Sequence, residues 1–324
     1  MNAPFLLAPA PKDYLWGGSR LNDDFNIGCK VNPFAEAWVC STHPDGESVV
    51  TAAGKSLSSI LADHPEYLGA HAAAVGGGRL PILIKLIDAR QDLSLQVHPD
   101  DEYARVHENG QLGKTEMWYV LDAAAGAELV YGFNRKVSAQ RVRRAIETGE
   151  IGTLLNHVRV HKNDLFYIEA GTVHAIGAGC LIAEIQESSN LTYRLYDYDR
   201  TDKNGQKRPL HIDKALKVAN LDSLASPRQP MRVLKYYPGY AAELLTRCKY
   251  FQVERLLLNT ENRKLAGFQT GSNSFHALLC VGGCGTLLGE GVNIPFFKGD
   301  CIFVPADSMP LQLHGCARIL NVSC

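Results

Sequence analysis

The chain has 324 residues, enough for one large or two modest domains, and 46% of them are hydrophobic while 21% are charged. These fractions are typical of an ordinary globular protein. The formal net charge of -1 gives no support for a nucleic-acid binder or a polybasic membrane protein. It still leaves room for a local positive site that binds a small phosphate.

The N-terminal segment, residues 1–12, does not resemble a signal peptide. It carries Pro4, Pro9 and Pro11 and has no basic stretch before an apolar core. No apolar run in the sequence reaches the roughly 18 residues that a membrane span needs. We therefore expect a cytoplasmic protein with no membrane or nucleic-acid partner. The sequence leaves the oligomeric state open.

The cysteines predict no disulfide framework and no structural zinc site. There are nine of them, an odd number, and no CxxC pair occurs. Cys280 and Cys284 lie four positions apart, without the second pair of ligands that a structural zinc needs. We expect reduced, buried thiols. The nine are Cys29, Cys40, Cys180, Cys248, Cys280, Cys284, Cys301, Cys316 and Cys324.

Short runs of β-branched and aromatic residues, separated by glycine and other turn residues, predict many short strands. Such a pattern is typical of a β-barrel or β-sandwich. Helical spacing is rarer and predicts helices at 56–64, 138–148 and 213–221, with Ser138 and Asp213 as candidate N-caps. In the first two-thirds of the chain, strands are predicted at 81–88, 93–98, 116–121, 164–169, 181–186 and 192–198.

A cluster of Ser, Pro and Asp between residues 220 and 232 predicts a linker. It divides the chain into residues 1–225 and 226–324. The second part again predicts only short strands, so we expect a mainly β protein with two β domains and helices attached to the first. These later strands are predicted at 250–258, 274–281, 285–288, 300–305 and 317–322.

The strand predicted at 93–98 has one apolar face and one polar face, because successive side chains in a strand point in opposite directions. Its apolar face would consist of Leu93, Leu95 and Val97. Its polar face would present the hydroxyl of Ser94, the amide of Gln96 and the imidazole of His98. Pro99 cannot continue the hydrogen-bonded ladder, so the strand should end just after His98.

Two further segments complete a candidate metal site. In the strand that begins near residue 113, Lys114 and Glu116 share a face with Trp118, so a carboxylate and an ammonium lie side by side. His174 follows a turn at 169–171 and begins a new strand. His98, Glu116 and His174 would form a two-histidine, one-carboxylate set, and Gln96 could add a neutral oxygen. The set suits zinc with an open position, and it also suits non-haem Fe(II).

The segments that carry these residues resemble the motifs of type I mannose-6-phosphate isomerases, most of all the short bacterial form. The likeness runs from about residue 14 to about residue 220. Its specific parts are the Gln-x-His-Pro-Asp stretch and the Tyr-Arg-Leu-Tyr-Asp stretch, whereas the glycine and proline turns are less specific. The matching segments are 16–18, 35–38, 43–46, 96–101, 113–116, 170–175 and 192–198.

The resemblance implies a cupin fold with two jelly-roll β-barrel domains and added helices around the first. It implies one zinc ion per chain, held by His98, Glu116 and His174, with Gln96 as a possible further ligand. It also implies that Arg194 is catalytic and that Ser94 and Lys114 lie near the substrate. The second domain would be a degenerate cupin that binds no metal, since its segments 275–277 and 303–307 lack a His/Glu ligand set.

The implied reaction interconverts mannose 6-phosphate and fructose 6-phosphate through an enediolate-type intermediate. Arg194 would stabilise the negative charge that develops on oxygen. Lys114 and Lys85 are candidates to bind the phosphate. The general base stays open among Glu184, Glu187, Asp197, His174 and a metal-bound water.

Other interpretations remain at this point. Arg194 could instead form a surface ion pair with Asp197 or Asp199, and Lys85 could be a structural partner of Asp88 or Glu116. The same His/Glu/His set could serve an Fe(II) cupin dioxygenase. A non-catalytic sugar-binding cupin is the third alternative.

Overall fold

Strands dominate the protein, and the mainly β prediction is confirmed. The structure, a computed structural model, describes residues 2–25, 27–201, 205–225, 227, 229–261 and 264–324. The longest helix within these ranges, Ala139–Glu147, has nine residues. A search of the same ranges finds no helix with the length and apolar character that a membrane crossing requires.

The elements are numbered here in chain order. The strands β1 to β22 are Phe5–Ala8, Ala10–Lys12, Glu36–Cys40, Val49–Val50, Lys55–Ser56, Ile82–Ala89, Leu95–Val97, Glu116–Ala123, Glu128–Phe133, Leu155–Arg159, Leu165–Ile168, His174–Ile176, Cys180–Glu187, Tyr193–Tyr196, Lys235–Tyr237, Tyr240–Arg247, Gln252–Asn259, Ala266–Phe268, His276–Gly289, Val292–Phe297, Cys301–Val304 and Leu311–Ser323. The helices α1 to α6 are Arg20–Asp23, Leu57–Asp63, Ala70–Val75, Asp101–His107, Ala139–Glu147 and Ile212–Val218, and 3-10 turns span Pro65–Leu68 and Ile151–Leu154.

Two of the three sheets come from the first two-thirds of the chain. A six-stranded sheet has the order β11-β8-β13-β6-β3-β2, and a five-stranded sheet has the order β10-β9-β12-β7-β14. An apolar cluster that includes Trp118 and Ile182 from the first sheet and Leu129 and Ile176 from the second joins them. The two sheets therefore form a sandwich, and the site described below lies between them.

The third sheet has eleven strands and is built mainly from the last third of the chain. The N-terminal strand β1 also belongs to it, because Leu7 pairs with Cys301 of β21. The strands β4 and β5 extend this edge. The pairing of the described strands leaves all three sheets open. The domain division at residues 225 and 226 stays a prediction, and the predicted linker contains Ser226 and Arg228, which lie outside the described residues.

The six-stranded sheet is buried on both faces. Its far side packs against the eleven-stranded sheet through an apolar cluster that joins Ile84 and Met117 to Phe303 and Leu320. Every residue of β6 and β13 is buried as a result. This explains why these strands read as nearly continuous apolar runs in the sequence, since a strand that is covered on both sides has no solvent face.

Two predicted helices, α5 and α6, cover the outer face of the five-stranded sheet. The Ser138 hydroxyl accepts a hydrogen bond from the Arg141 N–H, which confirms the predicted cap. The prediction of Asp213 as a cap is wrong. The helix α6 begins one residue earlier, because the His211 N–H is bound to the Arg194 carbonyl and holds the entry to the helix. Asp213 therefore lies in the first turn.

All nine cysteines are free thiols. The prediction that they are buried is confirmed for Cys40, Cys180, Cys280 and Cys301, whereas Cys29, Cys248 and Cys324 are only half-buried. It is wrong for Cys284 and Cys316, which are exposed. These two residues are register partners across the long strands β19 and β22.

Candidate active site

Sheet pairing brings the predicted site residues together from distant parts of the chain. The strand β7 lies between β12 and β14, and Gln96 is the register partner of both His174 and Arg194. His98 follows at the end of the same strand. Glu116 begins β8 in the opposing six-stranded sheet. The only group of three or more His, Cys, Asp or Glu side chains with metal-ligand spacing in the described ranges is His98, Glu116 and His174, whose ligand atoms lie within 4.8 Å of one another.

Backbone carbonyls hold both histidine rings in the orientation that a metal ligand needs. The His98 Nδ1–H donates to the Leu191 carbonyl at 2.8 Å, and the His174 Nδ1–H donates to the Thr172 carbonyl at 2.8 Å. Each Nε2 lone pair therefore faces the site. Burial lowers the pKa of His98 well below its usual range and lowers that of His174 to about 4, so both rings are neutral at physiological pH.

Glu116 is fully buried, and among the residues that the structure describes neither of its carboxylate oxygens has a hydrogen-bond partner of proper geometry. Burial, and next the charge of Glu184, raises the pKa of Glu116 to about 7. Its Oε1 lies 3.2 Å from His174 Nε2, and its Oε2 lies 3.6 Å from His98 Nε2. Ligand atoms about 2.0–2.2 Å from one tetrahedral ion lie roughly 3.3–3.6 Å apart, so these residues fit a divalent metal.

Buried glutamate and lysine side chains alternate in a row that begins at Glu116 and ends at Glu36. Lys114 Nζ lies 2.8 Å from Glu116 Oε2 and 3.9 Å from Glu184 Oε1, and Lys85 Nζ lies 3.2 Å from Glu184 Oε1 and 3.9 Å from Glu36 Oε2. Three carboxylates thus face two ammonium groups, so one negative charge is left over. A bound divalent cation would reverse this sign and favour an anionic ligand.

The predicted polar face of residues 93–98 is only partly as expected. Ser94 and Gln96 both line a cavity of about 290 Å³, but Leu93 lines it too, and His98 is not in its wall. The strand begins only at Leu95, so the alternation does not extend back to Leu93. Gln96 Nε2 lies 3.4 Å from His174 Nε2, which places the amide beside the candidate ligands. The cavity is lined by Tyr14, Trp16, Glu36, Lys85, Ile87, Leu93, Ser94, Gln96, Lys114, Glu184, Asn190, Thr192, Arg194, Arg208 and His211.

Arg194 points into this cavity rather than into a surface ion pair. Its Nε–H donates to Ser94 Oγ at 3.2 Å, and its Nη1–H donates to the Pro209 carbonyl at 3.1 Å. The alternative partner Asp197 is held instead by Arg200 at 2.6 Å and by Arg208 at 2.8 Å. The guanidinium is therefore fixed, with no carboxylate among the described residues neutralising it.

The alternative pairing of Lys85 with Asp88 or Glu116 is wrong, because its partners are Glu184 and Glu36. Lys85 is fully buried in this pairing, and its ammonium also lies 5.0 Å from the centroid of the Trp38 ring. Glu36 is held in place by the Trp38 indole N–H, which donates to it at 2.6 Å.

The three carboxylates considered as general base, Glu184, Glu187 and Asp197, differ in whether they line the cavity. Glu184 lines the cavity, and although burial opposes its ionisation, the charges of Lys114 and Lys85 lower its pKa. Glu187 lies on the other face of the same strand, where it accepts a hydrogen bond from the Thr115 N–H. Neither Glu187 nor Asp197 belongs to the cavity wall.

Sequence reasoning missed several polar side chains of the cavity. Tyr14, Glu36, Arg208 and His211 come from segments without the alternation that revealed the other residues. Burial raises the pKa of the Tyr14 hydroxyl, so it stays a hydrogen-bond donor. The sequence signal that could have indicated His211 is its position directly before α6. In the structure its Nδ1 accepts a hydrogen bond from the Arg194 N–H at 3.2 Å.

A sandwich of antiparallel sheets that encloses a buried His/Glu/His set beside a polar cavity defines a cupin-type protein with a candidate metal centre. The model of the "Phosphomannose isomerase type I, catalytic domain" family matches residues 5–126. The model of the "Mannose-6-phosphate isomerase, cupin domain" family matches residues 241–324.

Relatives of similar length give the same result. The mannose-6-phosphate isomerase ManA of Bacillus subtilis is 37% identical, with 98% of each chain covered, and that of Streptococcus mutans is 42% identical over 70% of this chain and 71% of its own. The crystal structure of a mannose 6-phosphate isomerase from Bacillus subtilis superposes with a TM-score of 0.89 at 33% identity, covering both chains entirely. The chain belongs to the type I mannose-6-phosphate isomerase family.

Proposed function

We propose that this protein interconverts mannose 6-phosphate and fructose 6-phosphate with the help of one zinc ion per chain. Family membership supports the reaction. The observation that carries the proposal in this chain is that His98, Glu116 and His174 meet next to the cavity that also receives Arg194 and the Glu184–Lys114 pair. The cytoplasm remains its expected compartment.

The reaction removes a proton from a carbon next to a carbonyl and returns it to the neighbouring carbon, with an enediolate-type intermediate. Negative charge develops on oxygen as the proton leaves, and fixed positive groups lower the barrier. A zinc ion held by His98, Glu116 and His174 would supply Lewis acidity and orient the sugar oxygens. Gln96, next to His174, is a further candidate ligand.

Arg194 is proposed to stabilise the developing oxyanion. The contacts to Ser94 Oγ and the Pro209 carbonyl fix two sides of the guanidinium before substrate arrives. A preorganised cation does not have to reorient as the charge develops, which makes it more effective than a mobile one. Ser94 is then a positioning residue that also lines the cavity.

Glu184 is proposed to carry the proton. It is the remaining candidate carboxylate in the cavity wall, and two ammonium groups keep it ionised and able to accept a proton. The Trp118 indole N–H donates to Glu184 Oε2 at 2.9 Å and fixes the carboxylate.

Lys85 and Lys114 remain the candidates for binding the anionic part of the substrate. Both already have carboxylates within 4 Å, so their charge is partly compensated. The excess positive charge in the loaded site would therefore come from the metal together with Arg194. A rise in KM for Lys114→Ala, with metal content retained, would support a role of Lys114 in substrate binding, whereas an unchanged KM would contradict it.

The test is a coupled assay of fructose 6-phosphate formation from mannose 6-phosphate on three samples: protein as purified, chelated protein, and chelated protein reloaded with zinc. We expect activity to disappear on chelation and to return with zinc. Metal analysis and oxygen uptake on the same samples separate an isomerase from an Fe(II) dioxygenase. A zinc-loaded protein without isomerase activity would overturn the proposal.

A further inference from the structure

A second cavity, of about 370 Å³, lies where the six-stranded sheet meets the eleven-stranded sheet. It shares no residue with the first cavity. Residues of the six-stranded sheet and its loops form one wall, and the strands β19 and β22 with the β20–β21 turn form the other. The charged residues of its lining are Arg20, Asp24, Asp122, Lys162, Lys298 and Arg318.

Four cationic side chains and only two carboxylates line this cavity, an excess of two positive charges. Both carboxylates are already engaged, since Asp24 and Asp122 each lie 2.7 Å from Arg20 Nη2. Within the part of the chain that the structure describes, Lys162, Lys298 and Arg318 form no ion pair. In a chain whose formal net charge is -1, this one cavity thus keeps an excess of two positive charges.

The three cations approach the cavity from different sides. Lys298 is half-buried, and its ammonium lies 4.1 Å from the centroid of the Phe25 ring. Burial lowers the pKa of Lys298; the charges of Asp24 and Asp122 oppose this shift, and those of Lys162 and Arg20 add to it. An anion among these groups would relieve both effects.

Gly282 leaves the space that Arg318 occupies. The two residues are register partners across β19 and β22, directly after an irregularity in the pairing. A Cβ at position 282 would lie 3.3 Å from Arg318 Nε. Because glycine has no side chain, the guanidinium can lie across β19 and reach the cavity wall.

We propose that this cavity binds the phosphate group of a small molecule. The volume lies within the usual range of ligand sites. Arginine binds phosphate oxygens with two parallel N–H groups, and lysine binds them as a point charge. The excess of two positive charges matches a phosphate dianion. The proposal does not depend on the reaction at the first cavity.

Free phosphate and a phosphate monoester share this chemistry. The excess volume around a single phosphate favours an ester, whose carbon chain would contact Leu121, Leu181 and Val281. Inorganic phosphate and glycerol 3-phosphate are therefore the two probes. Tighter binding of glycerol 3-phosphate identifies an ester as the ligand, and equal or weaker binding identifies free phosphate. Either result supports a phosphate site.

The experiment compares two charge-matched double variants by equilibrium dialysis with each probe. Arg318→Gln/Lys298→Gln removes two cations from the cavity. The control, Arg141→Gln/Lys235→Gln, removes the same two residue types from exposed positions elsewhere. In the cavity variant we expect the affinity of one class of binding sites for the probe to fall at least 10-fold. In the control we expect that affinity to stay unchanged. Both probes can also enter the first cavity, and the comparison cancels that contribution.

Equal binding by the two double variants would overturn the proposal. The exposed residue Lys162 provides a second test that does not threaten folding, because Lys162→Glu reverses a charge at the rim. Unchanged binding of both probes by this variant would also count against the site. Dialysis needs no turnover, so a failure here is distinguishable from a failure of the proposed isomerase reaction.

Discussion

The interior between the six-stranded and five-stranded sheets differs sharply from the interior enclosed by the eleven-stranded sheet. The first holds buried charges, including Lys85, Lys114, Glu116 and Glu184. The second holds an apolar cluster built mainly from aliphatic side chains and Phe296. Both regions are antiparallel β structure, so strand pairing alone does not make a site.

What separates the two interiors is whether buried polar groups have partners. A buried charge costs several kcal/mol unless a partner compensates it. In the first region the Glu36–Lys85–Glu184–Lys114–Glu116 series provides compensation for all but one charge. The remaining carboxylate, together with two neutral imidazoles, is suited to a cation. In the second region most of the space is filled by apolar side chains that need no partner.

The largest expected effect comes from removing the uncompensated carboxylate. Glu116→Gln should abolish metal binding and lower turnover by about 1,000-fold, because a neutral amide replaces the one charged ligand. Metal analysis and the coupled assay measure both effects. The matched control is Glu243→Gln, which changes a buried carboxylate of the eleven-stranded sheet that is paired with Arg255. A Glu243→Gln protein that also lost its metal would remove the distinction between the two regions.

The second interior should be important for stability and not for chemistry. Leu278 is 3% exposed within the apolar cluster of the eleven-stranded sheet. Leu278→Ala should lower the free energy of unfolding by about 3 kcal/mol, since it removes buried methylene groups and leaves a cavity. Turnover per folded molecule should not change. Chemical denaturation checks this, with Leu244→Ala, at an exposed position of the same sheet, as the control.

Arg194→Lys tests whether the first region needs a fixed guanidinium or only a positive charge. We expect kcat to fall about 100-fold, because lysine keeps the charge and loses the planar donors that bind Ser94 and the Pro209 carbonyl. Metal content should stay the same. Arg159→Lys, at an exposed position of β10, is the control. Full turnover by Arg194→Lys would show that geometry at this position is unimportant.

The smallest expected effect lies where the two regions meet. Burial, and next the charge of Asp101, raises the pKa of Glu187 to about 8 from its ordinary 4.5. Asp101 in turn accepts a hydrogen bond from the Tyr250 hydroxyl, in the second part of the chain, at 2.8 Å. Between these two pH values Glu187 is protonated in the folded protein and ionised in the unfolded chain. The free energy of unfolding should therefore fall as the pH rises from about 4.5 to about 8.

Glu187→Gln removes this titration while it preserves the shape of the side chain. We expect the variant to lose about 1 kcal/mol less of its free energy of unfolding than the wild type between pH 7 and pH 8. Denaturant titrations at the two pH values measure the difference. Identical pH dependence in the two proteins would mean that Glu187 is ionised in the folded state throughout.

The sequence alone determined the features that depend on local physics. Alternation and turn residues predicted β6, β7, β8, β13 and β14, which surround the candidate site. A hydroxyl at the right position predicted the cap of α5. The residue types at positions 96, 98, 116 and 174 predicted the candidate metal set. Short helices such as Asp101–His107 were missed, because seven residues give too little periodicity to separate a helix from a loop. The start of β7 was placed too early, at residue 93 rather than at Leu95.

Only the tertiary structure decided which charges meet. Nothing in the local sequence shows that Glu36 faces Lys85, that Arg208 rather than Arg194 binds Asp197, or that His211 precedes the helix beside Arg194. These contacts join residues up to 49 positions apart, and they depend on sheet order and register. A strand's sequence determines which side chains share a face, whereas the partner strands determine what that face meets.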